Sequence, residues 1–169
     1  MTKRRCNLNI FVVGCGSIGE RHIKNLTSMY PDFQIIATDT SAERLSLMEE
    51  KHNIQTTKNL EDGFKKNIDA TIICTPPNSH IPLAITSIER GAHVFIEKPM
   101  SDSLNNVQRL LDKARSANLS VSVGYCFRFH PGLKAVKRVV DSGDVGRVEE
   151  AIADIGRRIG ERKSGRGTR

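Results

Sequence analysis

No part of this 169-residue sequence approaches the roughly 20 consecutive apolar residues that span a bilayer, so no membrane role is expected. Its four cysteines, Cys6, Cys15, Cys74 and Cys126, form no C-x-x-C pair and no metal-ligand spacing. No metal site is therefore expected, and scattered cysteines on or beside apolar runs fit reduced thiols in a cytoplasmic protein. There is no internal repeat and no low-complexity linker. A basic folded face is missing too, although the formal net charge is +7. Residues 157–169 hold a net +5 and Lys3, Arg4 and Arg5 a further +3, which leaves −1 for residues 6–156. Charge gathered at the two ends argues against a nucleic-acid partner. Lys3-Arg4-Arg5 ahead of Leu8–Val13 loosely imitates a signal peptide. The apolar part is short, though, and runs straight into a glycine turn that uses it as a strand, so it reads as mature structure. The remaining composition is that of a globular protein, 38% hydrophobic and 27% charged, long enough for one domain and part of another.

The chain is organised around Val12-Val13-Gly14-Cys15-Gly16-Ser17-Ile18-Gly19-Glu20, a G-x-G-x-x-G between an apolar run and a helical pattern. In that context Gly14 makes the tight turn, Gly16 lets backbone approach a pyrophosphate, and Gly19 lets helix and strand pack closely. The N–H groups of the new helix, with Ser17 and Ile18 in its first turn, then face the phosphates. Asp39 closes a second apolar run twenty positions beyond Gly19. A carboxylate there accepts hydrogen bonds from the adenosine ribose and repels a 2′-phosphate, which favours NAD over NADP. Taken alone, Asp39 reads equally as a surface residue in a turn, and Arg44 just beyond is positioned to pair with the 2′-phosphate of NADP.

Short apolar runs alternate with amphipathic stretches throughout. Strands are expected at Leu8–Val13, Phe33–Thr38, Ile54–Thr56, Ile68–Cys74, His93–Ile96 and Leu119–Val123. Helices are expected at about Ser17–Ser28, Ser41–His52, Leu60–Lys65, Ser79–Arg90, with Gly91 as its stop, and Leu104–Ala117. Six strands alternating with helices predict an α/β fold, a doubly wound parallel Rossmann sheet. In such sheets ligands bind at the carboxyl ends of the strands. The turns that matter are therefore Gly14–Gly19, Asp39, Cys74-Thr75-Pro76-Pro77-Asn78 and Glu97-Lys98-Pro99. Asn78 is an N-cap candidate, and His80 reads as a structural first-turn residue or a ligand contact. Lys98 at a strand end lies where its ammonium can hydrogen-bond a substrate hydroxyl, ease its deprotonation and stabilise a developing oxyanion. The plainer reading of the tripeptide is an exposed salt-bridged turn.

Four segments carry a resemblance in order and spacing: residues 13–22 (VGCGSIGERH), 74–80 (CTPPNSH), 91–100 (GAHVFIEKPM) and 124–131 (GYCFRFHP). Together they resemble the Gfo/Idh/MocA family, the glucose–fructose oxidoreductases, inositol dehydrogenases and their relatives, up to about residue 155. The resemblance implies hydride transfer between NAD(P) and a sugar, a cyclitol or a derivative. It implies that Lys98 is the catalytic-site lysine, touching nicotinamide ribose and substrate, and that Glu97 contacts the nicotinamide side. Asn78 and His80 would line the same pocket. The expected cofactor set is thus Gly14, Gly16, Ser17, Ile18, Gly19, Asp39, Arg44, Thr75, Pro76, Asn78, His80 and Glu97. Arg128 matches the R-F-x-P segment where the chain crosses into a second domain, and the resemblance implies that it contacts the substrate together with Lys98. Read from the residues alone, it is a cation packed near Tyr125, Phe127 and Phe129.

Against the family pattern the chain ends early. A Rossmann domain over 1–124 is followed over 125–156 by only the start of an α+β domain, with a helix at Gly132–Ser142 and a strand at Val148–Asp154. Residues 157–169 read as a disordered basic tail, the mark of a truncated or frameshifted gene. The family's later His in an Asp-x-x-x-His pattern has no counterpart, since the last His is His130. Two functions remain open: an NAD-dependent oxidoreductase, incomplete for catalysis as this chain, or a dinucleotide-binding module without turnover. A complete second domain would allow a homo-oligomer.

Overall fold

In the computed structural model, which describes residues 7–150 and 152, the first apolar run forms strand β1 (Asn9–Val13). The chain continues through α1 (Ser17–Met29), β2 (Gln34–Thr38), α2 (Ala42–His52), β3 (Gln55–Thr57) and α3 (Leu60–Phe64). Then come β4 (Ala70–Ile73), α4 (His80–Glu89), β5 (His93–Ile96), α5 (Val107–Ser116), β6 (Val121–Val123) and α6 (Pro131–Asp141). The strands make one parallel sheet in the order β3-β2-β1-β4-β5-β6. Val12 lies opposite Ala37 on one side and Ile72 on the other, so β1 is central and the strand order reverses between β1 and β4. An α/β doubly wound sheet was expected, and this is its architecture.

The apolar pattern explains the layering. Strands buried on both faces read as continuous hydrophobic runs, because successive side chains serve opposite cores. Ile10, Val12, Ile35 and Ala37 pack with Ile23 of α1 and with Leu45 and Met48 of α2. Phe11, Val13 and Ile36 face the other way, onto Phe64 and Ile68. On that second side Ile73, Val94 and Ile96 meet Ile81, Ile85 and Leu110 of α4 and α5. Phe11 and Val12 have no exposed surface, and burial of such side chains stabilises by about 1.5–3 kcal/mol each.

Local chemistry sets the ends. Ser41 caps α2 by accepting from the Arg44 N–H, and Asn59 caps α3 by accepting from Asp62 N–H at 2.9 Å. Gly91 follows α4 with φ of +83°, as its expected role as a stop requires. Two expectations fail here. The helix expected from Leu104 begins only at Val107, because Ser101 and Ser103 hydroxyls accept from the N–H groups of Ser103 and Asn105 and hold 101–105 in turns. Asn78 is not the cap of α4. It lies inside a short 3-10 turn, Pro77–Ser79, and Ser79 occupies the cap position.

The described residues divide into two compact units, with the break between Tyr125 and Cys126. The second contains a 3-10 turn, Cys126–Phe129, and α6, whose N-terminus combines Pro131 with an N–H of Gly132 donated to His130 Nδ1. None of the residues of α6 is buried. Of the strand expected over Val148–Asp154, residues 148–150 and 152 have no regular structure, and the rest lies outside the described residues. So do Lys3, Arg4, Arg5, Cys6 and the 157–169 tail.

Candidate functional site

The turn after β1 is dictated by its three glycines. Gly14 has φ of +97° and donates its N–H to the Thr38 carbonyl at 2.8 Å. That left-handed backbone favours glycine, and a Cβ there would stand 2.9 Å from the Cys74 carbonyl carbon and oxygen. At Gly19 a Cβ would fall 1.9 Å from the Gly14 carbonyl oxygen, so α1 leaves β1 with its backbone against the turn. Gly16 is different. A Cβ on it would meet no atom within 4 Å, and it occupies the N-cap of α1 with no side-chain cap. The first N–H groups of a helix have no intrahelical partner. A helix N-terminus left open in this way can accept an anion.

Asp39 is bound into this turn. Its Oδ2 accepts the Cys15 N–H at 2.7 Å and its Oδ1 the Ser41 N–H at 2.8 Å. Arg44 Nη1 stands 3.5 Å from Oδ2. Burial pushes the carboxyl up, but the Ser41 and Cys15 N–H groups and the Arg44 guanidinium outweigh it and hold Asp39 below its ordinary 3.8. The Asp39 side chain is only 6% exposed against 56% for Arg44, so the carboxylate is fixed and the guanidinium is the mobile partner. Oδ1, with one partner, still has a lone pair to offer a hydroxyl.

Gly14, Gly16, Asp39, Arg44, Thr75, Pro76 and Asn78 line one cleft of about 850 Å³ at the carboxyl ends of the strands. That volume lies within the range of small-molecule sites. Lys58, Asn59 and Leu60 also line it, as do Pro82 and Leu83 of α4. Lys58 brings a second cation to the cleft that was not named from the sequence. The signal was available: Lys58 is the residue after β3, and the rule of strand ends applied to β1, β2, β4 and β5 was not applied there.

The remaining named residues lie elsewhere. Ser17 is exposed and Ile18 half-buried on the first turn of α1, and neither lines the cleft. Glu97 follows β5, its Oε1 2.8 Å from His22 Nε2 of α1 and its Oε2 accepting the Lys98 N–H at 3.1 Å. Its side chain is 13% exposed. Lys98 is exposed at the strand end. His80, read as a structural first-turn residue or a ligand contact, is the first residue of α4, 1% exposed, and is not among the residues lining the cleft. Arg128 belongs to the second unit. Among the described residues, the cation over an aromatic ring there is Lys134, 5.5 Å from the centre of Phe129, not Arg128. The described residues hold no cluster of three or more metal-ligating side chains, and no described helix is long and apolar enough to cross a membrane.

Two thiols flank the turn. Burial first, then the Asp39 charge, pushes Cys15 up to about 12. Burial, then Glu97 and Cys15, does the same for Cys74. Cys126 is exposed. Against the ordinary thiol value, about a thousandfold less thiolate is present at pH 8 in the two buried thiols. A thiol reagent with peptide mapping should therefore mark Cys126 in the folded protein, and Cys15 and Cys74 only after denaturation. Labelling of Cys15 or Cys74 at the rate of Cys126 would contradict this burial.

Comparison with known proteins agrees with this geometry. Residues 8–125 match the family model described as an oxidoreductase family with an NAD-binding Rossmann fold, GFO_IDH_MocA. Myo-inositol 2-dehydrogenase of Thermotoga maritima is 31% identical over 144 residues, 83% of this chain and 42% of that protein. The NAD(+)-dependent scyllo-inositol 2-dehydrogenase of Bacillus subtilis is 32% identical over 141 residues, 80% of this chain and 41% of that one. A dehydrogenase of Bordetella pertussis, solved in complex with NADH and UDP-GlcNAcA, superposes with a TM-score of 0.77 at 28% identity, covering 87% of this chain and 42% of its own. The chain thus spans well under half the length of these relatives.

Proposed function

Because the chain belongs to the Gfo/Idh/MocA oxidoreductases, a family with an NAD-binding Rossmann fold, we propose that it binds NAD in the cleft at its strand ends and serves hydride transfer on a sugar, a cyclitol or a derivative. The observation that carries this reading is the cleft at the strand ends, which Gly16 at the N-cap of α1 lines together with the ionised Asp39. The residues present fit the cofactor. Gly16 and the first turn of α1 take the pyrophosphate, and Asp39 takes the adenosine ribose. The strand order reverses between β1 and β4, so the second mononucleotide half faces the ends of β4 and β5. Bound there, NAD supplies a hydride acceptor. Lys98 donates a hydrogen bond to the substrate hydroxyl and stabilises negative charge as it develops on that oxygen. Glu97, held by His22, sets the start of the same turn.

Asp39 supports NAD rather than NADP, since a fixed, ionised carboxylate repels a 2′-phosphate. Its charge is present above the ordinary carboxylate value and is lost only as pH falls through the lowered one, so this preference should persist into mildly acidic solution. Calorimetric titration should show tighter binding of NADH than of NADPH. Asp39→Asn should weaken NADH by about tenfold or more, the cost of a charge-assisted hydrogen bond, and move the preference toward NADPH, with Arg44 and Lys58 free to meet the phosphate. Tighter NADPH binding by the unaltered chain would overturn the assignment.

A further inference from the structure

His80 opens α4 and is almost fully enclosed. Its Nε2 lies 2.7 Å from the carbonyl oxygen of Thr75, in the turn after β4, and its Nδ1 lies 3.0 Å from the carbonyl oxygen of Pro99, in the turn after β5. One ring therefore spans the two turns that end neighbouring strands. Thr75 is on the cleft wall, and Pro99 directly follows Lys98. His22 and Glu97 grip the start of the Lys98 turn from the α1 side of the sheet, where His22 also packs edge-on against Phe95 at 5.4 Å. His80 sits on α4, which packs on the opposite side.

We propose that His80 is a positioning residue, not a ligand contact: through the Pro99 carbonyl it fixes the Lys98 turn relative to the cleft wall at Thr75, and so sets the nicotinamide half of the site. This inference rests on the dinucleotide reading given above. The adenosine half, Gly16 and Asp39, touches none of these bonds, so it is independent of His80.

The two nitrogens give two different conservative replacements. The amide nitrogen of Asn falls near the position of Nδ1 and that of Gln near Nε2, and both are donors. His80→Asn keeps the link to Pro99 and loses the link to Thr75, whereas His80→Gln does the reverse. Both facing atoms are carbonyl oxygens and a neutral ring donates from one nitrogen only, so the two contacts are both hydrogen bonds only in the doubly protonated ring, and the stability of each variant is measured beside its binding. Dissociation constants for NADH and for ADP, which carries only the adenosine half, are measured on both variants and the unaltered chain. His80→Gln should weaken NADH by about tenfold, the effect of one lost hydrogen bond that lets the Lys98 turn move, and leave ADP within about twofold. His80→Asn should stay near the unaltered chain for both ligands. Amide hydrogen exchange without ligand should quicken at Lys98 and Met100 in the Gln variant and not in the Asn variant.

Equal losses of NADH and ADP, or identical behaviour of Asn and Gln, would reduce His80 to a core residue and overturn the proposal. Failure of the unaltered chain to bind either nucleotide would instead overturn the dinucleotide reading. The exchange pattern would then still decide whether His80 holds the turn.

Discussion

Gly16→Ala is expected to fold as the unaltered chain does and to lose NADH binding by about a hundredfold. The backbone at Gly16, with φ of −69° and ψ of −174°, suits any residue, and the added methyl meets no protein atom within 4 Å. The stability change should be no more than about 1 kcal/mol, reflecting the weaker N-cap preference of Ala. The methyl nevertheless projects into open space at the N-cap of α1, where the proposed pyrophosphate site lies. Thermal melting of the free protein, read beside an NADH titration, separates the two effects. Unchanged NADH affinity would mean that the phosphates lie elsewhere, and the assignment of the cleft would fall with it.

Gly19→Ala should show the opposite pattern, a loss of stability of about 2–4 kcal/mol that precedes any question of ligand. Its Cβ would stand 1.9 Å from the Gly14 carbonyl oxygen and 3.6 Å from the Cys74 Cβ. The obstacle is backbone at the tightest point of the turn, not the flexible end of a side chain, so relief requires α1 to move away from β1. Chemical denaturation, comparing midpoints at constant slope, measures this directly. A Gly19→Ala protein as stable as the unaltered chain would show that the closeness of α1 to β1 is not needed by the fold. On these expectations the motif separates into one glycine needed by the ligand and one needed by the protein.

Much of this was legible in the residues. The periodicity of Leu8–Val13 and Phe33–Thr38 marked buried strands because parallel sheets bury both faces, and the layering of Val12 and Phe11 into opposite cores follows from alternation alone. The late start of α5 was hidden by Leu104, whose helical spacing is real. Ser101 and Ser103 side chains compete for the backbone there, and Leu104 is left 89% exposed. Asn78 was misread for a similar reason: its cap propensity is genuine, but the two prolines before it set up a 3-10 turn that shifts the cap by one residue. His80 was named from sequence without its place. Nothing local announces that a histidine five residues after Thr75 will reach a carbonyl 19 residues further on. Such a contact depends on the adjacency of β4 and β5, which is a property of the sheet.

The bond from the Cys15 N–H to Asp39 has a thermodynamic consequence. It ties the glycine turn after β1 to the carboxylate after β2, the two parts of the proposed nucleotide site, in the free protein. Little backbone freedom is then left to surrender on association, so the ordering entropy that weakens binding to mobile loops is largely absent. Encounter should proceed without a slow rearrangement step. Occupancy should also stabilise the folded chain by mass action, by about 2.7 kcal/mol at a nucleotide concentration a hundred times its dissociation constant.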